Sequence, residues 1–275
     1  MALGVPLDSL LAIDVGNTHI KLGLRQDGQW SHEWRMSTDV RRTADEYRQP
    51  LKGFLAEAGF DVVDNVVLAS VVPLLTPAFV RVGEALSEGK VLEVSPPGYG
   101  MEVSYAPPDS LGADRFANAL AAFALVQRAV VVVDVGTTTT VDAVSATGRF
   151  MGGAIAPGPH FMAQALAEGT ARLPMIPPSL TQLTDATLGG ATHEAIQVGV
   201  AQTLVGSVDR LVRRTWRLLG AECPVVLTGG WGARLAPHLD FPVEVVPRLT
   251  LEGLAICADH VLGRSRLAPA AKGGG

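Results

Sequence analysis

This sequence predicts an α/β fold of two related halves with mixed sheets, on three observations. The first is the stretch Leu11–Leu24, LAIDVGNTHIKLGL. There an apolar run delivers Asp14 to a turn of small polar residues, Gly16-Asn17-Thr18, and an alternating segment follows with Ile20, Leu22 and Leu24 on one face. That pattern describes a strand, a tight turn and a second, antiparallel strand. The second observation is its echo at Val130–Val144, VVVVDVGTTTTVDAV: an apolar strand, Asp134, Gly136 and a threonine run. The third is what comes after each hairpin, a further strand and then helical periods alternating with short strands, the layering of an α/β protein. The two halves are expected at 1–128 and 129–275, presenting acidic, hydroxyl-rich turns to one cleft.

Taken in order, Met1–Ser9 reads as a loose leader. Strands are expected at Leu10–Val15, His19–Arg25 and Gln29–Met36, with Asp27-Gly28 as a two-residue hairpin turn. Thr43–Gly59 has helical periodicity through Tyr47, Leu51, Phe54, Leu55 and Ala58, and Thr43 with Glu46 makes a capping box. A buried strand at Asn65–Ser70, a helix over Pro77–Ser87 and a short strand at Val91–Val94 follow. Ser95–Ser110 is rich in proline and glycine and reads as loop, extended at Met101–Tyr105. Gly112–Gln127 alternates small and apolar residues at helical spacing, with Asp114-Arg115 in its first turn. The second half restarts with strands at Val130–Val135, Thr139–Ser145 and Arg149–Ala156. Helices follow at Gly158–Gly169 and Thr192–Leu219, then a strand at Pro224–Leu227 ending in Thr228-Gly229-Gly230. A closing helix spans Leu249–Gly263, and the tail Ala268–Gly275 reads as disordered. Three strands and then alternating helices and strands, twice over, fit the actin-like ATPase fold of two ribonuclease-H-like half-domains, shared by sugar kinases, Hsp70-type chaperones and actin. A dinucleotide fold would carry G-x-G-x-x-G after its first strand, and this chain does not.

The totals narrow the function. The 275 residues suffice for two compact domains, and 48% apolar against 18% charged residues favours filled cores. A formal net charge of −5 argues against nucleic acid as a partner. The arginines of Arg210–Arg217 alternate with apolar residues at helical spacing and read as a solvated helix face. Two cysteines, Cys223 and Cys257, fit neither a disulfide framework nor a metal cluster and read as buried free thiols. With no signal-peptide pattern and no apolar run long enough to span a bilayer, a cytoplasmic protein is expected.

The polar turns need a chemical cause. Gly16 permits the turn, while Asn17, Thr18 and backbone N–H groups form a concavity suited to phosphate oxygens. Asp14 suits Mg²⁺, directly or through water, because hard cations prefer carboxylate and phosphate oxygens. An ordinary hairpin would also select Asp and Asn for local hydrogen bonding; the echo is what favours phosphate. In the second loop Asp134 and Thr137 stand at the turn, whereas Thr139 and Thr140 also suit a strand edge. No G-x-x-x-x-G-K-[ST] exists, and Lys21 is the only lysine near either loop, so charge neutralisation falls to metal ions and backbone amides. Gly112-Ala113-Asp114-Arg115 leaves two readings open. One is a capping Asp with a surface Arg; the other is Asp114 as general base for a substrate hydroxyl and Arg115 as clamp for a substrate carboxylate. Gly152-Gly153-x-Ile155-x-Pro157-Gly158 and Thr228-Gly229-Gly230 read as strand ends where backbone can approach a nucleotide, the latter bordering adenine. The histidines show no metal-ligand spacing, and the tryptophans read as packing residues.

Strand–DVGNT, then GADR, then DVGTTTTVD followed by GGAIAPG and TARLP, in that order, resembles type III pantothenate kinase from about Leu10 to Leu262. The resemblance implies the actin-like fold, a homodimer, and ATP-dependent phosphorylation of the pantothenate primary hydroxyl to 4'-phosphopantothenate, the first committed step towards coenzyme A. It implies Mg²⁺ and a monovalent cation, K⁺ or NH₄⁺. By the same resemblance Asp14, Val15, Gly16, Asn17, Thr18, His19, Ile20 and Lys21 form the first ATP-phosphate loop, and Thr137 is the second ATP contact. Asp114 matches the proton acceptor. Tyr105, Gly112, Ala113, Asp114, Arg115 and Thr192 match the pantothenate contacts, although Thr192 also suits an N-cap, and Asp134 matches the monovalent-cation ligand. One departure is Thr138, where the family commonly has alanine. Two rival functions stand beside this one: an actin-like kinase for another small hydroxylated substrate, and a non-catalytic transcriptional accessory protein of the same family.

Overall fold

A computed structural model describes residues 8–176 and 186–264. All but the last two residues of the expected leader, and the tail Ala268–Gly275, lie outside the described residues; Ser9 already begins the first strand. The chain forms two compact units. One comprises the chain up to Met101, Ala106–Ala121 and the chain from Thr250 on; the other comprises Glu102–Tyr105 and Ala122–Leu249.

In the first unit β1 (Ser9–Val15), β2 (His19–Gln26), β3 (Gln29–Ser37), β4 (Asn65–Ser70) and β5 (Val91–Glu93) form one sheet in the order β3-β2-β1-β4-β5. The two hairpins are antiparallel and the β1/β4 and β4/β5 pairs parallel. The local chemistry explains both connections. Asp27 and Gly28 each take positive φ, as a two-residue hairpin turn requires. Parallel neighbours need a crossover, supplied by α1 (Ala44–Glu57) before β4 and α2 (Thr76–Leu86) before β5. The capping box is present, Thr43 and Glu46 each bonding the other's backbone N–H. Period-2 strands and period-3.6 helices then place their apolar residues in one layer. Leu11, Ile13, Val15, Ile20, Leu22 and Leu24 pack on Tyr47, Leu51 and Leu55 of α1 and Phe79 and Val82 of α2.

The opposite face of this sheet carries α7 (Leu249–Val261). The Trp30 indole donates to Glu252 at 2.8 Å, and Arg25 pairs with Asp259 at 2.8 Å. Helix α3 (Ala113–Val126) packs on α7, where the buried Thr250 hydroxyl donates to Asn118 Oδ1 at 2.9 Å.

The second unit repeats the plan strand for strand. Its sheet runs β10-β9-β6-β7-β8, with β6 (Val130–Val135), β7 (Thr138–Val144), β8 (Phe150–Pro157), β9 (Val225–Thr228) and β10 (Glu244–Val245). Again the two hairpin pairs are antiparallel and the two outer pairs parallel. Val131, Val133, Val135, Val141 and Leu227 pack on Leu204, Val208, Val212 and Trp216 of α5 (Thr192–Leu219). Helix α4 (Pro159–Gly169) follows β8, and the short α6 (Gly232–Leu235) follows β9. The protein is thus α/β with two mixed five-stranded sheets. The sequence reading lacks β10, α6 and a 3₁₀ turn at Pro108–Ser110. Elements of two to four residues are too short to show a period. Among the described residues no helix is long and apolar enough to cross a membrane.

Candidate active site

Asp14 is the penultimate residue of β1 and is only 6% exposed. Register places it opposite Lys21 of β2, and Lys21 opposite Arg35 of β3. Side chains paired in register share a face, so one carboxylate and two cations form a row across three strands. Lys21 Nζ lies 3.5 Å from Asp14 Oδ2. The turn itself is clamped from the end of β3. Gly16 N–H donates to the His19 carbonyl at 3.1 Å, the Thr38 hydroxyl donates to Gly16 O at 2.6 Å, and Thr38 N–H donates to Thr18 O at 3.0 Å. Asn17 and Thr18 are exposed at the tip; Val15 and Ile20 are anchored in the core. Arg35 donates to His19 Nδ1 at 2.8 Å, which makes that nitrogen an acceptor. Burial, then Arg35, then Lys21 push the His19 pKa below its usual value, so the ring is neutral at pH 7.

The head of α3 lies in the same unit. Phe116 N–H donates to Gly112 O at 3.0 Å, which puts Gly112 at the cap and Asp114 in the first turn. Asp114 Oδ1 accepts the Arg115 N–H at 2.7 Å, a favourable place for a carboxylate near a helix N-terminus. Arg115 is only 6% exposed, so the alternative of a surface arginine falls. Val71 connects this corner to the hairpin: its N–H donates to Val15 O at 3.0 Å, and its side chain lies over Gly112. Asp14 to Lys21 and Gly112 to Arg115 are therefore brought together through Val71.

In the second unit Asp134 holds on β6 the place that Asp14 holds on β1. Its row differs in chemistry. Thr140 and then Ile155 stand on one side, and Thr228 on the other. The turn is one residue shorter, with Gly136 N–H donating to Thr138 O at 2.9 Å. Gly158, at the start of α4, donates to the Thr137 carbonyl at 3.0 Å, and a Cβ there would overlap the Gly136 and Thr137 carbonyls. Gly229 has φ +88°, and a Cβ on it would overlap Asp134 Oδ1 and the Val135 carbonyl. A carboxylate, a carbonyl and two flanking threonines make an oxygen-rich spot, the donor chemistry that hard cations favour. Sequence reasoning left Thr140 as a strand-edge residue and set Thr228-Gly229 against adenine, yet both threonines lie beside Asp134. Strand register was the signal that would have found them.

The remaining predicted residues are spread over other elements. Tyr105 packs edge-on against Phe150 at the start of β8, ring centroids 6.0 Å apart. It belongs to the second unit, whereas Gly112–Arg115 belong to the first. Thr192 is the first residue of α5; the cap position is Ala191 and no side chain caps it, so the N-cap reading of Thr192 falls. Gly152 to Pro157 lie within β8, paired along β7 of the hairpin, and Gly158 follows the strand's end, where its N–H reaches the turn itself. Among the described residues no group of three or more His, Cys, Asp or Glu is placed to hold a metal ion. A divalent ion here would take single carboxylates such as Asp14 together with phosphate oxygens.

Comparison with known proteins fits this geometry. A family model described as type III pantothenate kinase matches residues 10–214. A type III pantothenate kinase of Syntrophotalea carbinolica is 40% identical over 258 residues, covering 90% of this chain and 97% of that one. Among solved structures, a Campylobacter jejuni protein described as a Baf family transcriptional activator aligns with a TM-score of 0.59 at 19% identity, covering 92% of this chain and 99% of its own. A Listeria monocytogenes protein described as an N-acetylmannosamine kinase aligns at 0.53 with 15% identity, covering 93% and 99%. At such identities the structural likeness shows the fold, which is that of actin-like ATPases and sugar kinases. The sequence match carries further: this chain belongs to the type III pantothenate kinase family.

Proposed function

We propose that this chain transfers the γ-phosphoryl group of ATP to the primary hydroxyl of pantothenate, giving 4'-phosphopantothenate and ADP, as an ATP:pantothenate 4'-phosphotransferase. One observation carries the reading. Every residue given a role below, from Asp14 to Thr192, lies inside the stretch that matches the family model.

The roles follow from chemistry. Asp114 accepts the proton of the attacking hydroxyl; its carboxylate is already oriented by the Arg115 N–H. Arg115, buried at the head of α3, clamps the pantothenate carboxylate, where a planar fork loses little freedom per bond formed. Gly112, Ala113, Tyr105 and Thr192 complete the pantothenate contacts. The loop from Asp14 to Lys21 and Thr137 hold the ATP phosphates. Asp14 holds Mg²⁺, which when bound neutralises charge on the transferring group. Asp134, in its oxygen-rich row, holds K⁺ or NH₄⁺. Because the transition state of phosphoryl transfer is largely loose, positioning by these loops outweighs the base. The enzyme works as a cytoplasmic homodimer.

The test is product identification. Purified protein with ATP, Mg²⁺, K⁺ and pantothenate should yield phosphopantothenate by mass spectrometry, and other small hydroxylated acids and sugars should not be phosphorylated. Turnover of a sugar in preference to pantothenate would overturn the substrate assignment.

A further inference from the structure

We propose that Arg35 is a further phosphate-binding residue of the nucleotide site, held beside the first hairpin by His19. The inference rests on the reading of that hairpin as the ATP loop and extends it to a residue on the next strand.

Three observations converge on Arg35. Register carries the row Asp14, Lys21, Arg35 across β1, β2 and β3, so its side chain shares a face with the two charged residues nearest the turn. His19, two residues before Lys21 and on that same face, accepts from Arg35 Nη2 at 2.8 Å, which draws the guanidinium toward the turn. The acceptor is a neutral ring, so the arginine keeps its full charge and its other N–H donors. Glu33, the next residue of β3 on this face, stands opposite Gly23, two pairs further from the tip.

The charge balance of the site supplies the reason. A nucleoside triphosphate brings several negative charges. Lys21 shares its charge with Asp14 at 3.5 Å, and His19 is neutral. The row at the second hairpin, Thr140, Ile155 and Thr228 around Asp134, contains no cation. Arg35 is the cation of the first row that faces no carboxylate within that row, and its fork matches phosphate oxygens. As a mere surface contact to a neutral imidazole, an exposed arginine would do little for stability.

The experiment is direct binding by calorimetry of MgATP and of adenosine to the wild type, Arg35→Ala, Arg35→Lys and, as a control, Arg48→Ala on α1, with the pantothenate KM measured in parallel. Loss of a charge-assisted contact weakens MgATP by about ten- to a hundredfold in Arg35→Ala. Adenosine binding and the pantothenate KM should stay within about twofold, Arg35→Lys should recover part of the loss, and Arg48→Ala should match the wild type. MgATP binding unchanged in Arg35→Ala overturns the proposal. So does equal weakening of MgATP and adenosine, which would mean that the turn had collapsed. A wild type that binds adenosine but gains nothing from the phosphates would instead overturn the reading of the hairpin itself.

Discussion

Across the first hairpin Asp14 is followed in register by Lys21 and Arg35; across the second, Asp134 is followed by Thr140 and Ile155 and flanked on its other side by Thr228. The backbone plan is the same in both. Each aspartate is the penultimate residue of the central strand, and the carbonyl of the residue after it accepts one N–H from beyond the neighbouring parallel strand: Val71 to Val15 at 3.0 Å, and Trp231 to Val135 at 3.1 Å. One backbone plan therefore carries two different electrostatic settings. Where cations face the carboxylate the turn suits an anion; where hydroxyls face it the carboxylate suits a cation. The difference lies in the residues opposite each aspartate, not in the aspartates themselves.

The largest effect expected of any single substitution falls outside both hairpins, although the loops acting together contribute more than the base. Asp114→Asn should fold, bind MgATP and pantothenate as the wild type does, and lose about a hundredfold or more in kcat, as removal of a general base does. Near wild-type kcat would remove Asp114 from the chemistry and leave positioning by the hairpins as the whole mechanism. Next comes the first hairpin. Asp14→Asn should raise the KM for MgATP by about tenfold while the response of the rate to K⁺ keeps its shape, because the cation row is untouched. A change in K⁺ response would break the division of labour between the two rows.

Much of this was legible in the sequence, for identifiable reasons. Asp14 and Asp134 stand out because a charged residue ends an apolar strand, and the helices at Thr43 and Gly112 announce themselves by capping box and spacing. Gly229 shows what was not legible. A glycine after a strand signals a turn, but only the fold shows that its missing Cβ leaves room for Asp134 Oδ1 and the Val135 carbonyl. Arg35 and Thr140 were hidden for a related reason. Each gains meaning from the residue across the strand, and register is a tertiary property that a single strand's alternation does not specify. The burial of Arg115, though not its candidacy, was hidden in the same way, since a helix's first turn is exposed by default.

Gly229→Ala therefore probes the second hairpin alone. At φ +88°, with overlap on two oxygens, the added methyl should cost about 1–3 kcal/mol of stability and weaken K⁺ activation, leaving the KM for MgATP less affected. A stable variant with normal K⁺ activation would show that the space beside Asp134 is unused. The smallest effect separates the two units chemically. Burial pushes the Cys257 thiol of the first unit up to about 12 and raises the half-buried Cys223 of the second less far. In native protein at pH 8, iodoacetamide should label Cys223 slowly and Cys257 not at all, since the thiolate is the reactive form. Labelling of Cys257 first, read by peptide mass spectrometry, would show that the packing around α7 opens.

The central claim is that a pantothenate kinase divides its two hairpins between an anion and a cation. It is tested most directly by the initial rate of pantothenate phosphorylation against K⁺ concentration, for the wild type and Asp134→Ala, at saturating MgATP. The account predicts a wild-type rate that climbs with K⁺, is restored by NH₄⁺ but not by Na⁺, and becomes low and flat in Asp134→Ala. A wild-type rate indifferent to the cation, or an Asp134→Ala rate that still climbs with K⁺, would contradict it.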